Sequence, residues 1–234
     1  MTIEMRDALL KMYKNLEDAG KRQVERGVHD QGARSQVTGG QHLNVVADVL
    51  RNDLISIGYN PDEVYYKDGC LRLPGWFRPT KDWDLLAFDE KELLAVVELK
   101  SINSSFSNNS NNRSEEALGS SVDISHAIKN ELIPFKSIPP LIGYVLIVRL
   151  CEESTRIGKP TQKSVYPPDK VFDNVSYFKR LTTLCRRMLA ERLYQAVWVV
   201  GVDPTRGEVK EPDDNLTYEK FLAALKSQLS IHRA

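Results

Sequence analysis

Apolar residues recur along the chain at two spacings, one typical of helices and one typical of strands. A spacing of three to four residues predicts amphipathic helices, and short runs of apolar and β-branched residues predict strands. The predicted helices cover residues 3–26, 42–57, 176–194 and 217–229. The predicted strands cover residues 64–67, 70–73, 82–88, 93–101, 141–150 and 196–202. A tight polar turn, DEKE, joins the third strand to the fourth and predicts an antiparallel hairpin.

The segment at residues 102–113, INSSFSNNSNNR, is polar and rich in Asn and Ser, which predicts a loop. Ser114 then offers an N-cap hydroxyl, and Glu115 and Glu116 place acids in a first turn, so a further helix is predicted from Ser114 to about residue 131. The predicted strands first pair locally and later alternate with helices. This order indicates an α/β fold with a mixed sheet flanked by helices.

Composition favours a globular protein of one domain. The chain has 234 residues, 41% of them hydrophobic and 27% charged, so we expect one domain over 1–234 with residues 1–35 as an N-terminal helical extension. Net charge is zero, so contact with DNA would need a focused basic cleft. No apolar run is long enough for a membrane span, and the start lacks the apolar core of a signal peptide. Three scattered cysteines, Cys70, Cys151 and Cys185, favour a reducing cytoplasm.

Two charged residues, Glu98 and Lys100, lie inside the apolar run 93–101, where a charge is costly unless it is paired or binds a metal. Alternation along a strand places both on one face. Asp84 lies on the preceding strand, and in a hairpin in register it reaches Glu98 near the open end. Two carboxylates suit Mg²⁺, which leaves positions for water and phosphate, and a neighbouring lysine stabilises charge on the phosphate. The pattern predicts metal-assisted hydrolysis of a phosphodiester.

A structural ion pair is the alternative interpretation of Glu98 and Lys100. A Glu-x-Lys sequence occurs about once by chance in a chain of this length. Glu208 and Lys210 also fit the pattern, but they lie in a predicted polar loop before a proline. Only Glu98 and Lys100 end a buried strand that follows a strand carrying an acid. From the spacing alone, both interpretations stay open.

Longer motifs resemble a known nuclease family. An αβββαβ order with Asp on the second strand and Glu-x-Lys on the third resembles the PD-(D/E)xK nuclease fold, with Trp83 at the position of the usual proline. The series RPTKDWDLLAF, VVELKS and FSNNSNNRSEEALGSSVD is more specific, and it closely resembles the Xho-type type II restriction endonucleases. The resemblance runs from about residue 35 to residue 226.

This resemblance implies a function and a set of catalytic residues. By it, Asp84 and Glu98 are metal ligands, the backbone carbonyl of Leu99 adds a ligand, and Lys100 is the catalytic lysine. Members of the family are homodimers that use Mg²⁺ to cut both strands of double-stranded DNA at a palindromic site, and some recognise CTCGAG. The resemblance therefore implies a type II restriction endonuclease in a prokaryotic cytoplasm, with a companion DNA methyltransferase that protects the host.

The Asn-rich block after the catalytic strand is predicted to read DNA bases. Asparagine can bond adenine at N6 and N7, and arginine can bond guanine at O6 and N7. A flexible connector is the alternative. The predicted base-reading residues are Asn108, Asn109, Asn111, Asn112 and Arg113.

Other polar residues have two interpretations each. Glu115 and Glu116 are either acids of a helix N-terminus or groups that contact a cytosine amino group or assist the metal. Asp53 is either a third metal ligand or a solvated acid. His42 and His126 lack metal-ligand spacing, so loop or packing roles come first.

The predicted helix at 176–194 carries a basic set, Lys179, Arg180, Arg186 and Arg187. These residues contact either phosphates or a second subunit, or else they form a solvated face. Cys185 falls on the apolar side of the same helix and is predicted to be core.

Two other functions share this scaffold. A structure-selective nuclease such as a junction resolvase has the same metal chemistry, but it needs few groups that read base edges. A catalytically silent DNA-binding protein would not need the complete set of Asp84, Glu98 and Lys100.

Overall fold

The computed structural model describes residues 1–25, 41–67, 71–158 and 164–234. Its α-helices are α1 (Ile3–Glu25), α2 (Asn44–Ser56), α3 (Phe106–Lys129), the single turn α4 (Glu152–Thr155), α5 (Tyr177–Ala190) and α6 (Tyr218–His232). Its strands are β1 (Val64–Tyr66), β2 (Arg72–Pro74), β3 (Thr80–Asp82), β4 (Leu85–Asp89), β5 (Glu92–Ile102), β6 (Leu141–Arg149), β7 (Ala196–Asp203) and β8 (Glu208–Lys210). Short 3₁₀ turns lie at Gln41–Leu43, Pro61–Glu63 and Lys170–Phe172.

Six of the strands form one mixed sheet in the order β1-β4-β5-β6-β7-β8. The strands β1, β4 and β5 pair antiparallel, β5, β6 and β7 pair parallel, and β8 returns antiparallel. The predicted β4–β5 hairpin is confirmed. Its turn residues Glu90 and Lys91 have φ values of 50° and 68°, the left-handed geometry that suits a two-residue hairpin turn. The predicted α/β fold with a mixed sheet is therefore confirmed.

Helices cover both faces of this sheet. The helices α1, α2 and α6 cover one face, and their buried residues include Leu9, Leu50 and Leu225. The helices α3 and α5 cover the other face, and their buried residues include Ile124 and Cys185. A sheet covered on both faces explains the nearly continuous apolar runs of β5, β6 and β7. Cys185 is 0% exposed, which confirms its predicted place in the core.

The predicted loop at residues 102–113 is wrong, because most of this segment is helical. Helix α3 begins at Phe106, and the Asn-rich block forms its first turns. Phe106 is 1% exposed and packs in the core between α3, α5 and the sheet. This burial outweighs the weak helix propensity of the Asn and Ser residues around it. Ser114 is therefore not an N-cap, and its hydroxyl donates to the Ser110 carbonyl at 3.0 Å within the helix.

The strand predicted at 82–88 is two strands. The first, β3, pairs with β2 in a separate two-stranded ribbon, and the second, β4, begins at Leu85 in the main sheet. Trp83 lies between them and is 3% exposed, and its backbone N–H donates to the Leu71 carbonyl at 2.9 Å. Burial of the indole fixes the point at which the chain leaves the ribbon and enters the sheet. Asp84 therefore precedes β4.

Two more predicted boundaries differ from the structure. The helix predicted at 176–194 ends at Ala190, and Arg192 just beyond it has a left-handed φ of 57°. The strand predicted at 70–73 lies at β2. Residue 70, and residues 26–35 of the predicted N-terminal extension, fall outside the described residues.

Candidate active site

The open end of the β4–β5 hairpin brings Asp84 and Glu98 together. The Asp84 N–H donates to the Val97 carbonyl at 3.2 Å, which continues the pairing one residue beyond Leu85. Asp84 therefore lies across from Glu98, as the hairpin register predicts. One oxygen of Asp84, Oδ2, accepts a hydrogen bond of 2.7 Å from the Leu99 N–H. This bond fixes the Asp84 carboxylate beside the end of β5.

Glu98 is the centre of a buried charge cluster. It is 2% exposed, and its Oε1 lies 2.8 Å from the Lys100 Nζ and 3.1 Å from the Lys81 Nζ. The Lys81 ammonium also lies 4.0 Å above the ring of Trp83. The sequence pattern predicts no role for Lys81. Its signal there was weak: a lysine three positions before Asp84, on a strand too short to show a pattern.

The charges of the cluster set the direction of each pKa. Burial raises the pKa of Asp84, although Lys100 and the Leu99 N–H act against it. Burial acts in the same direction on Glu98, but Lys100 and Lys81 outweigh it and hold the pKa of Glu98 below its ordinary value. Burial alone would lower the pKa of Lys100, yet Glu98 and Asp84 outweigh it and raise that pKa. Lys100 is therefore a cation at neutral pH, suited to donate hydrogen bonds and not to accept a proton.

The oxygen atoms of the cluster fit a Mg²⁺ ion. The second oxygen of Glu98, Oε2, is buried and has no hydrogen-bond partner, so Glu98 has an acceptor to spare where solvent does not reach. The Leu99 N–H points toward Asp84, which lies just before β4. The N–H and carbonyl of one strand residue point to the same edge of the strand, so the Leu99 carbonyl also points to the side of Asp84. Among the described residues no group of three or more acidic, His or Cys side chains could hold a metal. Two carboxylates and a carbonyl, completed by water and phosphate, are a sufficient set for Mg²⁺.

A cleft opens above this cluster between the β2–β3 ribbon and α3. Its lining includes four basic residues, Arg78, Lys81, Lys100 and Arg113, and three acids, Glu98, Glu115 and Glu116. Gly119 and Ser120 of α3 complete it. The lining thus has a small excess of positive charge in a chain whose net charge is zero.

Arg113 of the Asn-rich block lies at this cleft, together with Glu115 and Glu116. Arg113 forms an ion pair with Glu116, and its side chain is only 15% exposed. Glu115 and Glu116 lie in the third turn of α3, so the interpretation that they are N-terminal acids of a helix is wrong. The helix begins earlier than predicted because Phe106 anchors it. Their alternative role, contact with a base or with the metal, stays a prediction.

The four asparagines fall into two groups. Asn108, Asn111 and Asn112 are exposed along one side of the first turns of α3. Asn109 is half-buried, and its Nδ2 donates to the Ser104 carbonyl at 2.6 Å. The first group is free to meet a ligand, whereas Asn109 holds the start of the helix.

The basic residues of α5 have partners within the chain. Arg186 donates from Nε to Asp213 Oδ2 at 2.8 Å, and Arg187 forms an ion pair with Asp169. The Arg180 guanidinium lies 5.3 Å from the ring centre of Tyr177. Lys179 lies in the same helix and is exposed. The positive charge of this helix is thus partly offset by nearby acids.

The remaining polar residues have local roles. The Tyr218 hydroxyl donates to Asp53 Oδ2 at 2.5 Å, which ties α2 to α6. Both helices cover the sheet face opposite α3, whereas Glu98 shares the face of α3. The interpretation of Asp53 as a third metal ligand is therefore not supported. His42 is hydrogen-bonded to the Ser101 hydroxyl at 2.8 Å, and His126 packs against the ring of Phe77, so packing roles are confirmed for both.

Comparison with known proteins identifies relatives over most of the chain. The profile of the family described as Restriction endonuclease XhoI matches residues 22–211. Type II restriction enzyme BstVI of Geobacillus stearothermophilus is 38% identical over 216 residues, which cover 88% of this chain and 94% of that enzyme. Type II restriction enzyme XhoI of Xanthomonas vasicola is 38% identical over 160 residues, which cover 68% of this chain and 64% of that enzyme. Type II restriction enzyme AbrI of Azospirillum brasilense is 35% identical over 158 residues, 64% of this chain and 68% of that enzyme. No solved structure matches the chain.

Proposed function

The chain belongs to the XhoI restriction endonuclease family, and we propose that Asp84, Glu98 and Lys100 are the residues with which it cuts DNA. Site-specific cleavage of DNA is its activity, and neither a junction resolvase nor a silent DNA-binding protein fits that membership. The observation that carries the proposal is the buried Glu98. One of its oxygens is shared by two lysines and the other has no hydrogen-bond partner, directly beside a second carboxylate.

Asp84 and Glu98 hold Mg²⁺ in this proposal, together with the backbone carbonyl of Leu99. When bound, Mg²⁺ supplies the positive charge that polarises the phosphodiester and offsets the charge of the transition state. The Leu99 N–H keeps Asp84 in place, and the two lysines keep Glu98 ionised and in one rotamer. The set therefore needs little rearrangement before the reaction, which favours catalysis.

Lys100 acts on the reacting phosphate as a cation. Its Nζ has three protons and uses one on Glu98, so it can donate to a nonbridging phosphate oxygen and to the attacking water. Lys81 shares the same carboxylate oxygen and lies between it and the Trp83 ring. We assign Lys81 the role of positioning Glu98.

Helix α3 reads the DNA bases in this proposal. Its exposed residues Asn108, Asn111 and Asn112 lie in the turns just before the cleft residue Arg113. A helix with exposed side chains of this kind fits the major groove, where Asn recognises adenine. Arg113 belongs to the cleft through its pair with Glu116, so contact with the scissile region suits it better than a base edge.

The remaining parts of the proposal follow from the family. The order of β1, β4 and β5 followed by α3 and β6 supports a PD-(D/E)xK core. Cleavage of both strands of a palindromic site, CTCGAG in some members, requires two copies of the cleft, hence a homodimer. A companion methyltransferase is needed to protect host DNA in the prokaryotic cytoplasm. No helix in the described ranges is long and apolar enough to cross a membrane.

A plasmid digest tests this proposal. The purified protein and its variants Asp84→Asn and Glu98→Gln are incubated with plasmid DNA and Mg²⁺, and the ends of the products are sequenced. We expect discrete fragments with one common end sequence from the unaltered protein and no fragments from either variant. Asp214→Asn, a change at an exposed acid, is the matched control and should cut normally. Normal cleavage by either site variant would overturn the assignment.

A further inference from the structure

The tip of the β2–β3 ribbon, residues 75–79 with the sequence GWFRP, presents two large aromatic side chains to solvent. Trp76 is 46% exposed and Phe77 is 66% exposed. The other two tryptophans of the chain, Trp83 and Trp198, are 3% and 0% exposed. Solvation of so much aromatic surface is unfavourable, and a neighbouring pair of such residues at a functional site indicates a contact surface.

A buried carboxylate on α3 holds the tip in this conformation. Asp123 is 2% exposed, and its Oδ1 accepts from the Trp76 N–H at 2.9 Å and from the Phe77 N–H at 2.7 Å. Its Oδ2 forms an ion pair of 2.9 Å with the Arg78 Nε. A Cβ on Gly75 would lie 2.6 Å from that same oxygen, so only glycine fits there. The tip is therefore fixed to α3 before any ligand binds. The Phe77 ring touches the His126 ring at a centroid distance of 5.3 Å, and much of both aromatic side chains stays exposed to solvent.

The tip lies at the edge of the cleft that must receive DNA. Arg78 lines this cleft together with Glu98 and Lys100. Consecutive Cα atoms are about 3.8 Å apart, so Trp76 and Phe77 begin within about 8 Å of Arg78 along the chain. A duplex whose scissile phosphate reaches Lys100 would therefore enter a cleft that Arg78 of the tip also lines. Asp123 ties the tip to α3, the helix that carries the proposed base-reading residues.

We propose that Trp76 and Phe77 form an aromatic wedge that contacts the base pairs next to the scissile phosphate and unstacks one base step. The two rings carry no charge to attract phosphate, and aromatic or apolar side chains at groove edges act by insertion between bases. The preformed tip loses little conformational freedom on insertion, so the contact adds affinity. This inference rests on the proposed cleft at Lys100, because the cleft sets where the duplex lies.

Binding of a duplex that carries the cut site and one 2-aminopurine beside the cut tests the wedge, with Ca²⁺ in place of Mg²⁺. Unstacking of 2-aminopurine raises its fluorescence, and we expect that rise with the unaltered protein. For Trp76→Ala and Phe77→Ala we expect the rise to be lost and the affinity to fall about ten- to hundredfold, the size of a lost stacking contact. Ile231→Ala on α6, which removes a side chain 56% exposed on the opposite side of the sheet, is the control and should change neither.

Two outcomes would overturn the wedge. Unchanged affinity and fluorescence for both variants would show that the rings do not touch DNA. A loss of the dimer in sedimentation of either variant without DNA would place the tip at an interface between copies of this chain instead. Lys100→Ala separates this inference from the catalytic proposal, since at saturating protein it should still raise the 2-aminopurine fluorescence in Ca²⁺ and should not cleave in Mg²⁺. If Lys100→Ala cleaves normally, the catalytic assignment fails while the result for the two rings stands.

Discussion

Neutralising Asp84 and Glu98 one at a time should change the stability of the metal-free protein in opposite directions. Glu98 is buried and Asp84 is half-buried, and their partners differ. Glu98 has two ammonium groups, at 2.8 Å and 3.1 Å. Asp84 accepts a backbone hydrogen bond from Leu99, and no cation lies within ion-pair distance of it in the described part of the chain. The ionised form of Asp84 is therefore destabilised, because burial outweighs its favourable interactions. The ionised form of Glu98 is stabilised, because its two lysines outweigh burial.

The expected loss for Glu98→Gln follows from the pair that it breaks. Removing one partner of a buried ion pair costs about 3–5 kcal/mol. The side chains of Lys81 and Lys100 keep 13% and 25% exposure, so part of their charge stays solvated. We therefore expect about 3 kcal/mol, and in a domain of this size about 2–4 °C of Tm for each kcal/mol, or a fall of about 6–12 °C.

The expected gain for Asp84→Asn is smaller. Asparagine keeps an oxygen that accepts from the Leu99 N–H and removes the buried charge. Relief of one such unfavourable active-site group gives about 0.5–2 kcal/mol, so Tm should rise by about 2–4 °C for each kcal/mol. Because the pKa of Asp84 is raised on folding, this gain is present at neutral pH, decreases as pH falls through the raised folded pKa, and is absent below the ordinary aspartate pKa. The pKa of Glu98 is lowered, so its stabilisation is present at neutral pH and is lost as pH falls through the folded value.

Thermal unfolding in EDTA at one protein concentration measures both shifts, and Asp214→Asn serves as the exposed control with a change within about 0.5 kcal/mol. Addition of Mg²⁺ should then raise the Tm of the unaltered protein, by about 2.7 kcal/mol in stability at a hundred times Kd, and should do so much less for either variant. If both variants shift Tm in the same direction in EDTA, the charge balance derived for this cluster is wrong.

Three further predictions concern residues around the cleft. Lys81→Met should lower Mg²⁺-dependent cleavage about ten- to hundredfold, the usual loss for a residue that orients a metal ligand such as Glu98, and a wild-type rate would remove Lys81 from the site. Arg186→Ala should leave the salt dependence of DNA binding unchanged because an acid already neutralises it, whereas a phosphate contact would lower the slope by about 0.9. Asn112→Ala should lower the ratio of cognate to nonspecific affinity about five- to hundredfold. Asn109→Ala should leave that ratio unchanged and lower the free energy of unfolding by about 1 kcal/mol. If Asn112→Ala and Asn109→Ala changed the ratio equally, the division of the asparagines into exposed residues and a half-buried structural residue would be wrong.

The sequence was sufficient for five of the six strands of the main sheet, all except β8 at Glu208–Lys210, and for placing Asp84 across from Glu98. Buried strands read as long apolar runs, and the two-residue turn at Glu90 and Lys91 fixes the register that brings Asp84 across from Glu98. These features depend on local pattern and on strand alternation. A local pattern can be read directly from a sequence, so the prediction and the structure agree there.

The start of α3 and the role of Lys81 depend on contacts between distant parts of the chain. Asn and Ser favour loops locally, and only the burial of Phe106 against α5 and the sheet makes their segment helical. Lys81 reaches Glu98 from β3 of the separate ribbon, just before the buried Trp83 at which the chain enters the main sheet. Neither contact has a periodic signal, so the sequence alone did not predict them.

The rate at which Lys100→Ala cuts DNA tests the central claim most directly. Single-turnover cleavage of a plasmid in Mg²⁺ is compared with that of the unaltered protein, at an enzyme concentration that saturates binding. Removal of one donor that stabilises the transition state lowers a rate by about 10²- to 10³-fold, and we predict a fall of at least that size with an unchanged affinity for DNA. A rate within a few-fold of the unaltered protein would contradict the assignment of Lys100, and with it the active site described at Asp84 and Glu98.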